Sequence, residues 1–203
     1  MKVTIFPLIF LFSVLIFFGS CNKVYASEND IGQSQIHPLS PLYFLKTVRE
    51  TLEMHFAQTP KVKFLRQLEF ATRRLREVKA LVPTQRQDLI EPTMERYWHH
   101  ISFIPDKNLE IEDLSKQISD NLVIHIKTLK EIYSQLTNKR AKMAVRSVLH
   151  KLMGRVDIPN YARAPICQFF GKVATQSADL VETERVILLE RAKRCHQILQ
   201  TPM

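Results

Sequence analysis

The chain has 203 residues and a net charge of +9, and 45% of its residues are hydrophobic. This is enough apolar material for one domain with a buried core. The positive charge suits an anionic membrane surface, an acidic envelope polymer or nucleic acid. The basic residues are spread along the chain instead of forming one tract, however, and this favours simple solubility. Only four glycines are present, which argues against a fold rich in strands or loops.

Residues 1–26 are typical of a secretory signal peptide. Lys2 precedes an apolar run from Val3 to Phe18, which is shorter than the roughly 20 residues that span a bilayer. A short polar stretch and small residues follow the run. The sequence therefore predicts export, so that the mature chain is extracytoplasmic, either secreted or held in the cell envelope.

Two ways of processing this segment stay open. Val24 and Ala26 are the small residues that signal peptidase prefers, so we expect cleavage between Ala26 and Ser27. Residues 18–21 also resemble a lipobox, in which Cys21 would be acylated and become the new N-terminus. In that alternative the protein would be anchored to a membrane.

The cysteines divide into one that export processing removes or lipidates, Cys21, and a remaining pair, Cys167 and Cys195. An even pair in an oxidising compartment predicts a disulfide. If two antiparallel helices turn near Leu180, the pair lies at about the same height on both. Facing residues of packed helices can then reach the Cα separation of roughly 4.4–6.8 Å that a disulfide needs.

The domain organisation follows from composition and periodicity. Residues 27–38 are polar and aperiodic and predict a flexible tether. Residues 39–203 carry helical apolar patterns and no period-two strand pattern. They predict an all-α domain, an elongated antiparallel helical bundle of about six to seven helices without a β-sheet.

Ser40-Pro41 and Thr59-Pro60 predict helix starts, because Ser or Thr can cap free amides and Pro is tolerated at the first helical position. Apolar residues at three- and four-residue steps then predict the buried faces of three helices. These stripes are Leu42, Leu45, Val48, Leu52 and Phe56; Leu65, Leu68, Thr72, Leu75, Val78 and Val82; and Ile111, Leu114, Ile118, Leu122, His125, Leu129, Ile132 and Leu136.

Prolines and glycines predict the remaining boundaries. We expect a third helix to start at Pro83 and to kink or split at Pro92. A further helix should stop at Gly154. The last two helices are expected over residues 165–177 and 181–199.

The second helix carries seven basic residues around its apolar stripe, and these could bind phosphates. Seven charges on a helix are more often its solvated side, which is the interpretation we favour. The residues are Lys61, Lys63, Arg66, Arg73, Arg74, Arg76 and Lys79.

The histidines do not have the spacing of a helical metal site. His99 and His100 are adjacent and point about 100° apart, and no His-x-x-x-His, Glu-x-x-His or Cys-x-x-Cys occurs. His125 interrupts an apolar stripe, which is typical of a hydrogen-bonded core histidine. We therefore predict no metal and no cofactor.

Catalytic motifs are also missing from the sequence. It contains no Gly-x-Ser-x-Gly and no glycine-rich phosphate loop. Carboxylate pairs such as Glu182 and Glu184 lie in predicted first turns, where the helix dipole favours them. The aromatic segment from Tyr97 to His100 could stack on a sugar or base, but is more often packed helix. The sequence therefore predicts a protein that is not an enzyme.

One part of the chain resembles a known family. Residues 38–46 read Pro-Leu-Ser-Pro-Leu-Tyr-Phe-Leu-Lys, Glu50 follows, and residues 69–78 read Glu-Phe-Ala-Thr-Arg-Arg-Leu-Arg-Glu-Val. These stretches resemble the uncharacterised bacterial domain-of-unknown-function family 5667 (DUF5667), with its Pro-Leu-Tyr-x-Leu-Lys opening and a helix bearing Ala-x-x-Arg-Leu-x-Glu. The motif residues here are Pro41, Leu42, Tyr43, Leu45, Lys46, Ala71, Arg74 and Glu77.

Residues 125–131 also resemble the family's second helix, and residues 182–195 a C-terminal extension of some members. The resemblance implies an extracytoplasmic helical domain after a signal or membrane segment, and implies no activity. For the motif we expect a structural role, in which the hydroxyl of Tyr43 meets a partner and Lys46 pairs with Glu50 one turn later.

These observations favour a non-catalytic interaction or scaffold protein of the bacterial envelope. Its partner would be an unknown protein or an anionic envelope surface, not nucleic acid, and it would meet the membrane only through a lipid or an uncleaved signal. The alternatives are a helical envelope chaperone or stress sensor, and an enzyme with a cryptic pocket beside His125.

Overall fold

The computed structural model describes residues 31–200, except 33, 35, 37, 107–111 and 179. Over these residues it contains seven α-helices and no strand, which confirms the predicted all-α bundle. The helices are α1 (Tyr43–His55), α2 (Pro60–Leu81), α3 (Ile90–Ser102), α4 (Glu112–Gln135), α5 (Lys139–Met153), α6 (Asn160–Gln176) and α7 (Glu182–Gln200), with a 3-10 turn at Gln87–Leu89 before α3. The predicted cleavage site at Ala26 and Ser27 and the lipidation candidate Cys21 lie outside the described residues.

Helix α4 packs its apolar stripe into the core, as predicted. Its apolar positions from Leu114 to Ile132 are at most 2% exposed, and Leu136 just beyond the helix is also buried. Ile111 of the same stripe lies outside the described residues. None of the described helices is long and apolar enough to cross a membrane.

The stripe of α2 faces the same core. Leu68, Leu75, Val78 and Val82 are buried, and their neighbour Ala71 is fully buried. The start of α2 is also as predicted, because Pro60 is its first residue. The hydroxyl of Thr59 accepts the backbone N–H of Val62 at 3.3 Å.

Three predicted helix starts were wrong. Helix α1 begins at Tyr43, two residues after Pro41, and Ser40 accepts the backbone N–H of Leu42 at 3.3 Å before the helix. Helix α3 begins at Ile90 and is neither split nor kinked at Pro92. That proline is its third residue, where a backbone N–H has no partner within the helix.

Helix α6 begins at Asn160, five residues earlier than predicted, so that Pro165 lies inside it. The side chain of Arg163 stabilises this start. It donates to the side chain of Asn160 at 3.0 Å and to the backbone carbonyl of Arg155 at 2.5 Å. The prediction treated Pro165 as a helix boundary, and the sequence pattern does not report the contacts that Arg163 makes before it.

The described residues of the predicted 27–38 tether contact the bundle. Ile31 is 6% exposed and packs in the hydrophobic core. Arg76 on α2 donates from Nε to the carbonyl of Ile31, and its own carbonyl accepts the backbone N–H of Ser34 at 3.2 Å. At these positions the chain is attached to α2.

The predicted Cys167–Cys195 disulfide is present and joins α6 to α7. The two Cα atoms are 5.4 Å apart and both residues are fully buried. Near the other end of the pair, Arg185 on α7 donates to the carbonyl of Ala174 on α6. The helices are therefore antiparallel and in the register that the cysteine positions predicted.

Candidate functional site

Helix α1 exposes its apolar face, so the prediction that this apolar stripe faces the core was wrong. None of its residues is buried. At 100° per residue, Tyr43, Lys46, Glu50 and Glu53 share one face, and these side chains are half-buried against α2. The opposite face carries the apolar residues Phe44 (63% exposed), Leu45 (51%), Val48 (51%) and Leu52 (43%), with Leu42 (52%) before the helix and Phe56 (73%) after it.

The polar face of α1 packs on a buried ion pair of α2. Arg74 is 3% exposed and Glu77 is fully buried. Nη1 of Arg74 donates to both carboxylate oxygens of Glu77, at 2.7 and 3.0 Å. A buried charge must be paired, so whatever covers these two residues must itself be polar.

Helix α1 supplies those partners. Nζ of Lys46 donates to Glu77 at 2.5 Å, and Glu50 accepts from Nη2 of Arg74. The charges alternate along the network, from Lys46 to Glu77 to Arg74 to Glu50. The predicted Lys46–Glu50 pair along α1 was wrong, because each of the two residues instead pairs across the interface.

Tyr43 closes the network on its α3 side. Its hydroxyl donates to Glu77 at 3.3 Å and accepts from Arg96 of α3 at 2.7 Å, and Arg74 also donates to it. Arg74 and Arg96 lie 5.8 and 5.6 Å from the centre of its ring, within cation–π range. The hydroxyl of Tyr43 thus meets partners on two helices, as the motif predicted.

A second layer of ion pairs surrounds Arg73, whose side chain is 11% exposed. It lies 2.9 Å from Glu53 and 2.6 Å from Glu69, and its other nitrogen is 3.6 Å from Glu50. The prediction that the basic residues of α2 are solvated was therefore wrong for Arg73 and Arg74. Lys61 and Lys63 at the start of the helix are exposed, as predicted.

The eight motif residues thus fall into three groups. Four of them belong to the polar network that holds α1 on α2, one is core, and the other three are exposed. The network members are Tyr43, Lys46, Arg74 and Glu77, the core residue is Ala71, and the exposed residues are Pro41, Leu42 and Leu45. The polar stripe at three- and four-residue steps on α1 was the sequence signal for this network. It could not be interpreted without knowing that its buried partners lie on α2.

Burial favours the neutral forms of Lys46, Glu50 and Tyr43. It lowers the pKa of Lys46 and raises the pKa of Glu50 and of Tyr43. For Lys46 the carboxylate of Glu77 opposes that shift, and for Glu50 the guanidinium of Arg74 opposes it. On the rim, burial also acts against ionisation of Glu69, but Arg73 outweighs it and lowers the pKa of that carboxyl.

His125 is a hydrogen-bonded core histidine, as its place in the stripe predicted. It is 1% exposed, with Nε2 at 2.9 Å from the hydroxyl of Thr72 and Nδ1 at 3.2 Å from that of Tyr97. Burial lowers its pKa to about 3, so the ring is neutral. His100, 2.8 Å from Gln67, is also shifted by burial, to a pKa of about 4.

Two surface hollows of the described chain lie away from these groups. They measure about 280 and 370 Å³ and are lined mostly by the N-terminal half of α4, around Asp113 and Lys116. Neither includes His125. Within the described ranges no group of three or more His, Cys, Asp and Glu residues could hold a metal ion.

Comparison with known proteins gives one match. The family described as "Domain of unknown function (DUF5667)" matches residues 35–140, which cover α1 to α4 and the polar network. No curated protein and no solved structure matches the chain. The disulfide-linked pair α6–α7, with the predicted C-terminal resemblance, lies beyond the matched residues.

Proposed function

The chain belongs to the family described as Domain of unknown function (DUF5667), and from that premise and the geometry of α1 we propose a non-catalytic interaction or scaffold role in the cell envelope. The observation that carries the proposal is the orientation of α1. Its polar face is used to attach to the bundle, which leaves a contiguous apolar face in solvent. Such a face on a folded protein marks an interaction surface.

Two features consistent with export support the same proposal. The signal-like residues 1–26 come from the sequence, and the Cys167–Cys195 disulfide is consistent with an oxidising compartment. Mass spectrometry of the mature N-terminus would separate Ser27 from an acylated Cys21. A chain that retains Met1 and has two free thiols in its native compartment would contradict export.

The interaction surface can be tested in living cells by site-specific photocrosslinking. We expect adducts from a photoreactive amino acid at Leu52, on the apolar face, and none from one at Thr51, which is exposed on the edge of the same helix. Both sites are exposed, so neither label should disturb the fold. Equal yields at the two positions would remove the proposed surface.

A second candidate function, a helical envelope chaperone or stress sensor, is favoured by the same exposed face. An apolar helix surface can bind the apolar segments of an unfolded client. In an aggregation assay the protein should then slow aggregation, and the variant Leu45→Gln/Leu52→Gln should lose that effect. No delay by the unmodified protein would eliminate this candidate.

A further inference from the structure

We propose that the apolar face of α1 binds the surface of an anionic lipid bilayer, with the helix lying in the plane of the membrane. This inference rests on the proposed interaction role and names its partner. An interfacial helix needs one apolar face and one strongly polar face. In α1 the polar face is occupied by the bundle, through Lys46, Glu50 and Glu53, and the other face is free to enter the boundary between headgroups and acyl chains.

The shape of the surface suits a bilayer better than a second copy of the chain. The apolar face is the convex side of a single helix of 13 residues, about 20 Å long. A stable dimer typically buries about 800 Å² on each partner, more than one face of such a helix offers. A bilayer can surround a convex ridge without a complementary groove.

The residues that follow α1 carry the charge that an anionic surface attracts. Lys61 and Lys63 are exposed at the start of α2, next to Val62, which is 41% exposed. They come shortly after Phe56, the most exposed of the apolar residues that continue the face. Lysines beside inserted aromatic and aliphatic side chains are the combination that binds anionic lipid headgroups.

The N-terminal chain lies beside α1 and α2, so an anchor upstream of it would hold α1 near the membrane. Ile31 is held on α2 by Arg76, and Lys46 of α1 donates to the carbonyl of Ile36 at 3.4 Å. Ten residues separate Ile31 from Cys21, a reach of roughly 35 Å. If residues 3–18 stay in the bilayer or Cys21 carries a lipid, this reach confines the bundle close to the membrane surface. Cleavage before Ser27 removes both anchors and leaves α1 as the membrane contact.

The test measures the depth of α1 in vesicles with the full chain as the cell processes it. A fluorescent amino acid replaces Val48 on the apolar face or, as the matched control, Thr51. Vesicles contain phosphatidylcholine with or without phosphatidylglycerol, and doxyl-labelled lipids quench the probe. Because every sample keeps the same N-terminus, an anchor contributes equally to all of them.

We expect quenching at position 48 to exceed that at position 51 several-fold, and more so with phosphatidylglycerol. The substitutions Leu45→Gln/Leu52→Gln should reduce the affinity of the face by about tenfold and remove the difference. The control Ile187→Gln/Leu189→Gln changes two residues of α7 that are exposed to a similar extent, 47% and 45%. This control should leave the difference in quenching between positions 48 and 51 unchanged.

The outcomes separate this inference from the proposed function. Equal quenching at positions 48 and 51 overturns the lipid inference. If photocrosslinking at Leu52 then still yields a protein adduct, the interaction surface stands with a protein partner, and an adduct of twice the chain mass identifies a second copy. Equal quenching together with no adduct overturns both.

Discussion

Helices α1 and α4 carry similar apolar stripes and use them in opposite ways. Leu122 on α4 is fully buried, whereas Leu52 on α1 is 43% exposed. Helix α4 packs its apolar stripe against α2, α5 and α6, so the stripe has apolar partners. Helix α1 meets α2 at the buried pair of Arg74 and Glu77, where only polar side chains can pack without leaving an unpaired charge. An amphipathic pattern therefore predicts that one face will be covered, and the neighbour decides which.

The two modes of attachment differ in strength. Burial of apolar side chains is a net gain, whereas the attraction within a buried ion pair is largely offset by its desolvation. Removing one partner of such a pair is nevertheless strongly destabilising, because it leaves the other charge unpaired. The α1–α2 interface is thus sensitive to single charge changes, and α4 to loss of volume.

The largest expected effect is at the centre of the network. Glu77→Gln leaves Arg74 and Lys46 without their shared carboxylate and should destabilise the fold by about 3–5 kcal/mol. The matched control is Glu69→Gln, whose carboxylate is 41% exposed, with an expected loss below about 1 kcal/mol. Urea unfolding measures both, and similar small losses for the two variants would show that the network contributes no more than surface pairs.

Removal of the disulfide tests whether the attachment of α7 to the bundle depends on a covalent bond, whereas that of α1 depends on ion pairs. Ile187 and Leu189 of α7 are also exposed, and the helix packs mainly on α6. The bond closes a loop of 28 residues, so Cys167→Ser/Cys195→Ser should cost about 3–4 kcal/mol in the chain-entropy estimate. Thermal unfolding with and without reductant gives the loss, and the double variant should not respond to reductant.

The comparison between the helices is tested most directly by two equal truncations. Leu122→Ala on α4 should destabilise the protein by about 3 kcal/mol, because it leaves a cavity in the core. Leu52→Ala on α1 should change stability by less than about 0.5 kcal/mol. Equal losses in urea unfolding would mean that the apolar face of α1 is covered within the protein itself.

The dependence of stability on pH is set in part by His125. The pKa of His125 falls from 6.5 to about 3 on folding, so its contribution to stability is present above pH 6.5 and is lost as the pH falls toward 3. At pH 4.5 the loss is about 2–3 kcal/mol. The variant His125→Gln should lose this part of the acid sensitivity, which unfolding curves at pH 7 and 4.5 would show. The part due to His100 should remain.

The sequence correctly predicted those elements whose packing partners are close along the chain or are uniformly apolar. The stripe of α4 and the Cys167–Cys195 bond belong to this group, because a stripe flanked by apolar neighbours and a helical hairpin leave few alternatives. Arg74 was predicted to be solvated because charged residues are mostly exposed, and nothing in the sequence marked Glu77 as its buried partner. Their burial depends on Lys46, more than 25 residues earlier, and no local pattern reports that pairing.

Arg155 joins the family-matched segment to the rest of the chain. Its Nη1 donates to the carbonyls of Ile101 and Ile104 at the end of α3, at 3.3 and 3.1 Å, and Asp157 balances its charge at 2.6 Å. Its own carbonyl accepts from Arg163 of α6. A fragment cut after residue 140 would lose the contacts of Arg155 with Ile101 and Ile104. We therefore expect the family-matched segment to be less stable alone than in the whole chain, because α5 to α7 contribute to its stability.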